Sequence, residues 1–306
     1  MDPLFGMIAA LILYEWMKTP IFVIVVDDKG GVGKSLIAQI FAELLRYKDG
    51  KYIVRLLDTD YSNSTTMQTE GSEVKMIDLR EKVAMGIIAN VLREIDQKTI
   101  SHVVMDVGAR EESLIANLLP FIVPAVKKLG GEVVVVRPVT LGSHNQRSAA
   151  AFMDIAEKLG INVVFVRNEG QGRRSQYFDR WIKTETRTEA LARGAVETVL
   201  EDANIFYADE ATGFGITLAD AALQDFSKIK DETDRLEAEA FFNDDIAAFL
   251  TIWLRNSVLA FGAALDEAIT KRKALEAERL ATPPSEVLAP DVSPKLVGKQ
   301  PKPKKS

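Results

Sequence analysis

The stretch that most restricts how this chain can fold is Asp27-Asp28-Lys29-Gly30-Gly31-Val32-Gly33-Lys34-Ser35, which lies between two contrasting patterns. Before it, Ile21–Asp27 (IFVIVVD) is a near-continuous apolar run, the signature of a strand buried on both faces. After it, Leu36, Ile37, Ile40, Phe41, Leu44 and Leu45 recur at helical spacing as far as Gly50. The glycines allow the backbone to wrap closely around a polyphosphate with its N–H groups pointing inward. The helix opening at Ser35 adds its positive dipole end. In that arrangement Lys34 reaches the β- and γ-phosphates and the Ser35 hydroxyl binds Mg²⁺. A Gly-rich turn without a ligand is the alternative. The Gly-Lys-Ser register within a strand–loop–helix setting argues against it.

The pattern of one strand and one helix repeats along the chain. Apolar strand-like runs lie at Tyr52–Leu57, His102–Met105, Glu132–Val136 and Val163–Val166. Helical stretches fall near Glu81–Ile95, Glu111–Lys128 and Gln146–Leu159. Such alternation predicts an α/β fold, a parallel β-sheet flanked by helices, with ligands at the carboxyl ends of the strands. Gln171–Lys183 (QGRRSQYFDRWIK) mixes basic and aromatic residues and predicts no element. From Asp231 to Leu280 the pattern is helical. Phe242, Ile246, Phe249 and Trp253 form one stripe, and Leu254, Val258, Phe261, Leu265 and Ile269 form the next. Ile246–Leu265 is apolar enough to raise the question of a membrane span. Arg255 and Asn256 at its centre favour packing on the core or on a second subunit instead.

Composition narrows the chemistry by exclusion. With no cysteine, the chain has no disulfide scaffold, thiolate zinc site, thiol nucleophile or iron–sulfur cluster on its own thiolates. Two histidines, His102 and His144, leave little for a histidine-based metal site or triad. A net charge of −6 gives no global footprint for nucleic acid, so any such contact must be local. A cytoplasmic location fits this composition. Residues 4–14 (LFGMIAALILY) are apolar but shorter than the ~20 residues of a spanning helix. Residues 1–16 are read as an N-terminal extension, with an interfacial anchor as the alternative. Residues 17–230 make the nucleotide-binding unit and 231–280 a helical C-terminal part. Residues 281–306 form a disordered Pro/Lys-rich tail, basic enough to touch DNA or an acidic partner.

The loop departs from GxxxxGK[ST], because Asp28 stands where the first glycine belongs and Lys29 is an added lysine inside the loop. KGGVGKS resembles the deviant Walker A motif of the ParA/MinD family of ATPases. The resemblance implies that Lys29 crosses a dimer interface to the other subunit's nucleotide, so that ATP is sandwiched in a homodimer. It assigns nucleotide contacts to Gly30, Gly31, Val32, Gly33, Lys34, Ser35 and Leu36. Asp58-Thr59-Asp60-Tyr61-Ser62-Asn63-Ser64-Thr65 is similar to the family's switch I, DxDPQxNxT, with Tyr61-Ser62 replacing Pro-Gln. By that likeness Asp60 positions the attacking water, and Asp58 lies beside the metal. His102–Gly108 (HVVMDVG) resembles Walker B and switch II, with Asp106 in the Mg²⁺ shell and the Gly108 amide sensing the γ-phosphate. Asn168, at the end of a further strand, matches the asparagine that meets the adenine edge.

Within the family, the missing cysteine removes the nitrogenase-iron-protein branch. The tail lacks the tyrosine cluster of the tyrosine-kinase branch and the basic amphipathic helix of MinD-like membrane proteins. KGGVGKSLIA with DTDYSNST most resembles plasmid stability and conjugation ATPases of the StbB/TraL type. That likeness implies an Mg²⁺-dependent, slow ATPase whose dimerisation switches binding of DNA or of a DNA-binding adaptor protein. Arg173, Arg174, Arg180 and Lys183, interleaved with Tyr177, Phe178 and Trp181, are the candidate DNA contacts; a solvated loop packed by its aromatics is the alternative. A nucleotide-dependent metabolic synthetase on the same fold and a MinD-like positioning ATPase are the competing functions.

Overall fold

The computed structural model describes residues 19–46, 53–60, 66, 74–141, 146, 152–171, 178–203 and 205–281. Seven strands are formed: β1 (Ile21–Val25), β2 (Val54–Asp58), β3 (Val74–Met76), β4 (His102–Asp106), β5 (Glu132–Val139), β6 (Asn162–Asn168) and β7 (Val196–Leu200). They pair in parallel in the order β3-β2-β4-β1-β5-β6-β7. Strands β2–β4 lie on one side of β1 and β5–β7 on the other. The winding therefore reverses beside β1, and the crevice at its carboxyl end is where such sheets take ligands.

The apolar run at 21–25 is buried residue by residue because both sheet faces are covered. Ile21, Val23 and Val25 face one hydrophobic cluster and Phe22, Ile24 and Val26 the other, the period-two alternation of a strand. The first cluster packs the sheet against α1 (Lys34–Arg46), α8 (Leu218–Leu223) and α10 (Asp244–Ala281). The second holds α2 (Ala84–Asp96), α3 (Glu112–Lys128) and α4 (Met153–Leu159). Each fully buried side chain such as Phe22 or Ile24 contributes about 1.5–3 kcal/mol relative to exposure. The short α5 (Asp179–Ile182) and α6 (Glu185–Ala192) precede β7, and α7 (Ile205–Gly213) follows it.

The helical C-terminal part is made of two helices. α9 (Glu232–Phe241) ends at Phe242, and Asn243 restarts the chain, its Oδ1 accepting from the Asp245 and Ile246 N–H groups. α10 then runs 38 residues, about 57 Å at 1.5 Å per residue. Its buried face is Leu250, Trp253, Leu254, Ser257, Phe261, Leu265, Ala268 and Ile269, set on β6, β7, α1 and α8. Phe249, on the expected inner stripe, is instead half-exposed, resting at 5.9 Å from the Tyr207 ring. A straight helix drifts relative to a flat contact, so its first turns and its middle cannot bury the same stripe. Among the described residues α10 alone is long and apolar enough to cross a membrane by length and composition. Only 39% of that apolar stretch is buried, and Phe249 and Ile252 within the helix are exposed.

Candidate functional site

The loop between β1 and α1 is held from several sides. Asp27, buried at the end of the β1 run, accepts the Lys29 N–H on Oδ1 at 2.8 Å. Asp28 accepts the Glu112 N–H on Oδ1 at 3.2 Å and the Arg110 N–H on its carbonyl at 3.0 Å. The residue standing in place of the usual first glycine thus ties the loop to the start of α3. Gly31 and Gly33 adopt φ of 69° and 88°, the left-handed region that glycine enters without penalty. At Gly33 a Cβ would also come within 2.3 Å of Asn168 Nδ2. That amide donates to the Val32 carbonyl at 3.0 Å, so the end of β6 braces the loop. The Lys34 ammonium folds back to the Lys29 carbonyl at 3.0 Å, over the loop it belongs to. Lys29 is exposed.

A charge cluster lies beneath. Arg137 on β5 is fully buried. It meets Asp27 Oδ2 at 3.4 Å and Glu112 Oε1 at 2.6 Å, with its guanidinium 5.4 Å from the Phe152 ring centroid. Burial pushes the Asp27 carboxyl above its ordinary range, while the Lys29 amide and Arg137 pull it down. The pattern VVVVRPV gives no hint of this role, since an arginine there reads as the end of a strand.

Sheet register sets the candidate metal ligands side by side: Asp58 on β2 is the partner of Asp106 on β4. Both are buried. Burial, then the neighbouring Asp58 charge, pushes the Asp106 carboxyl up to about 7 against hydrogen bonds from Ser35 and Thr66 and the charge of Lys34. The Thr66 bond, to Oδ2 at 2.9 Å, had no signal in the sequence. Two adjoining buried carboxylates and a hydroxyl form a hard oxygen set whose repulsion a divalent cation relieves. These donors fit Mg²⁺. No cluster of three or more acidic or histidine side chains suited to a metal occurs among the described residues, so phosphate and water oxygens would complete the shell.

The segment after β4 faces the one after β2. The Gly108 N–H, expected to sense a γ-phosphate, donates here to Thr59 Oγ1 at 2.7 Å. Thr59 Oγ1 in turn donates to Glu111 Oε2 at 2.5 Å. The Arg80 guanidinium sits 3.4 Å from the other Glu111 oxygen. Burial holds the Glu111 carboxyl above its usual range, offset by Thr59 and Arg80. The Asp60 N–H is turned back onto Asp58 Oδ1 at 2.8 Å.

Gly30, Gly31, Gly33, Lys34, Ser35, Leu36, Asp60, Asp106 and Asn168 line one cleft of about 320 Å³. Val32 is buried behind it, offering only its carbonyl to Asn168. The cleft's far wall, absent from the sequence reading, comes from Leu200–Ala203 at the end of β7, from α7, and from Ile216 and Leu218. That wall mixes Leu200, Ala203, Ala208, Ala211, Ile216 and Leu218 with the acidic Glu201, Asp202 and Asp209. Asp60, Gly30 and Gly108 also line a second cleft of about 410 Å³ with Thr59, Asp78, Arg80 and Glu111.

In the basic and aromatic segment, Phe178 and Trp181 are fully buried. Trp181 Nε1 donates to Glu197 at 2.6 Å, and Arg167 lies over the Phe178 ring. Arg180 and Lys183 are exposed, Lys183 paired with Asp179 at 3.1 Å. Arg173, Arg174, Tyr177, residues 61–65, residues 1–16 and the Lys-rich tail lie outside the described residues.

No protein-family model matches the sequence, and no curated protein is similar to it. Solved structures do resemble the chain. One is a nucleotide-binding protein from Archaeoglobus fulgidus in complex with ADP, at 14% identity over 76% of this chain and 92% of that one, TM-score 0.33. Another is the signal recognition particle 54 kDa protein from Aeropyrum pernix K1 in complex with GDP, at 15% identity over 87% and 78%, TM-score 0.33.

Proposed function

We propose that the chain is an Mg²⁺-dependent ATPase that dimerises around ATP and uses that state to switch a partner, a DNA-binding adaptor or DNA itself, in partition or conjugative transfer. The observation that carries the reading is the convergence of Lys34, Ser35, Asp58, Asp106 and Asp60 at the carboxyl ends of three neighbouring strands. The loop amides and the α1 N-terminus hold the phosphates, and Lys34 leaves the Lys29 carbonyl for them. Ser35, Asp58 and Asp106 would hold Mg²⁺, which when bound neutralises phosphate charge. Asp60 orients a water for attack at the γ-phosphorus. The new P–O bond forms as the bond to the bridging oxygen breaks, its electron pair going to ADP, and both water protons leave with the phosphate. Exposed Lys29 is free to reach a second copy's nucleotide. A metabolic synthetase would need no such lysine.

Lys34→Ala should weaken ADP and ATP binding by about a hundredfold, roughly 3 kcal/mol, in a fluorescent-nucleotide titration. Asp60→Ala should keep binding and accumulate an ATP-bound dimer by light scattering. A monomeric Asp60→Ala protein saturated with ATP would overturn the sandwich. Equal ATPase rates for wild type and Lys29→Ala, with and without DNA, would favour the synthetase.

A further inference from the structure

The cleft beside the phosphate loop holds a cation that the ATPase reading does not use. We propose that Arg80 serves the terminal phosphate of ATP from within the same subunit, and that Glu111 holds it until that phosphate takes the Gly108 N–H. This rests on the ATPase reading and adds a residue to it.

Backbone structure, not a chance side-chain contact, puts Arg80 there. β3 pairs with β2 so that Met76 lies opposite Asp58, and the next amide, Ile77, donates to the Asp58 carbonyl at 2.8 Å. The chain then turns at Asp78, whose Oδ1 accepts the Arg80 N–H at 2.9 Å and whose carbonyl accepts that of Glu81 at 3.1 Å. The turn fixes the backbone of Arg80 beside the Asp58-Thr59-Asp60 segment and leaves its side chain 69% exposed. The shared cleft of about 410 Å³ opens from Arg80 onto Asp60, Gly30 and Gly108, the groups that border a γ-phosphate.

Four groups form a chain: Arg80 to Glu111, Glu111 to Thr59, Thr59 to the Gly108 amide. A γ-phosphate that takes the Gly108 N–H removes the last link. Between Gly108 and Glu111 lies Arg110 at φ 67°, a conformation that an L residue with a long side chain holds only under constraint. Asp28 holds the Arg110 and Glu112 amides on either side of Glu111, so when Gly108 changes partner the exchange falls to the Thr59, Glu111 and Arg80 side chains. An exposed arginine on a single carboxylate is weakly held, so Arg80 can exchange Glu111 for the denser charge of a phosphoryl group. Charge spread over the transferring group is what an arginine stabilises best.

The test uses the full chain with four variants: Arg80→Ala, Arg80→Lys, Glu111→Gln and the double variant Arg80→Ala/Glu111→Gln. Steady-state phosphate release and titrations with ADP and ATPγS are measured on each. Arg80→Ala should lower kcat by at least about tenfold, raise KM for ATP, and weaken ATPγS but not ADP. Arg80→Lys should restore part of the loss. Glu111→Gln should tighten ATPγS in the wild-type background and do nothing in the Arg80→Ala background. Wild-type kcat with a wild-type ADP-to-ATPγS ratio in Arg80→Ala would overturn the proposal. Equal losses in Arg80→Ala and Glu111→Gln would overturn it too, because a merely structural ion pair loses the same from either side. Should wild type release no phosphate, the ATPase reading falls. The ATPγS ratio then still decides Arg80, and failure to bind either nucleotide removes both.

Discussion

Around the phosphate loop nearly every bond ends on a backbone atom. Asp27 holds the Lys29 amide, Asp28 the amides of Arg110 and Glu112, Asn168 the Val32 carbonyl, and Lys34 the Lys29 carbonyl. In the adjoining cleft one chain of bonds runs from side chain to side chain, through Arg80, Glu111 and Thr59, before it meets the backbone at Gly108. A backbone partner is fixed by the fold. A side-chain partner can be exchanged by turning about a few torsions. The loop therefore keeps its shape without a ligand, while the cleft is built to answer one.

The contrast can be broken from the loop side first. Arg137→Met should cost about 3–5 kcal/mol in urea unfolding, because Asp27 and Glu112 then lose the cation buried with them. Gly33→Ala should cost about 1–3 kcal/mol, combining a φ of 88° with a Cβ at 2.3 Å from Asn168, and should lower nucleotide affinity in the same titration. His102 tests the support common to both regions. It accepts the Ile21 N–H at the start of β1, and burial lowers its pKa to about 4 from 6.5. The unfolded chain takes up a proton below 6.5 and the folded one only near 4. Stability should therefore fall by about 1.4 kcal/mol per pH unit across that window as pH drops. His102→Gln should flatten that acid limb in urea midpoints measured from pH 7 to 4.5. On the cleft side, Arg80→Ala should leave the unfolding free energy within about 0.5 kcal/mol whatever it does to catalysis. A larger loss would mean that the cleft is as braced as the loop.

The β1–loop–α1 unit was legible because its information is local: an apolar run, glycines and a helical stripe in direct succession. Asp58 and Asp106 were legible as strand-end carboxylates, though only the β2–β4 register shows them adjacent. β3 and β7 carry little sequence signal, since Val74–Met76 is three residues long and Val196–Leu200 alternates with Glu197 and Thr198. The Arg137 cluster joins residues 110 and 25 positions apart, and no window of sequence contains it. From sequence, Phe178 and Trp181 fit either a DNA-facing segment or a loop packed by its aromatics, and their full burial fits the second. Glu197, which satisfies the indole, arrives from β7.

One consequence of α10 remains. Trp253 near its start donates at 2.9 Å to the Glu201 carbonyl in the wall of the cleft of about 320 Å³. Near its end, Leu275 abuts Gly194 before β7, and Lys127 at the close of α3 meets Glu276 at 3.2 Å. The helix is thus a strut spanning the sheet from the carboxyl ends of its strands to the opposite side. The described chain therefore ends, at Ala281, on the side of the sheet opposite the loop between β1 and α1.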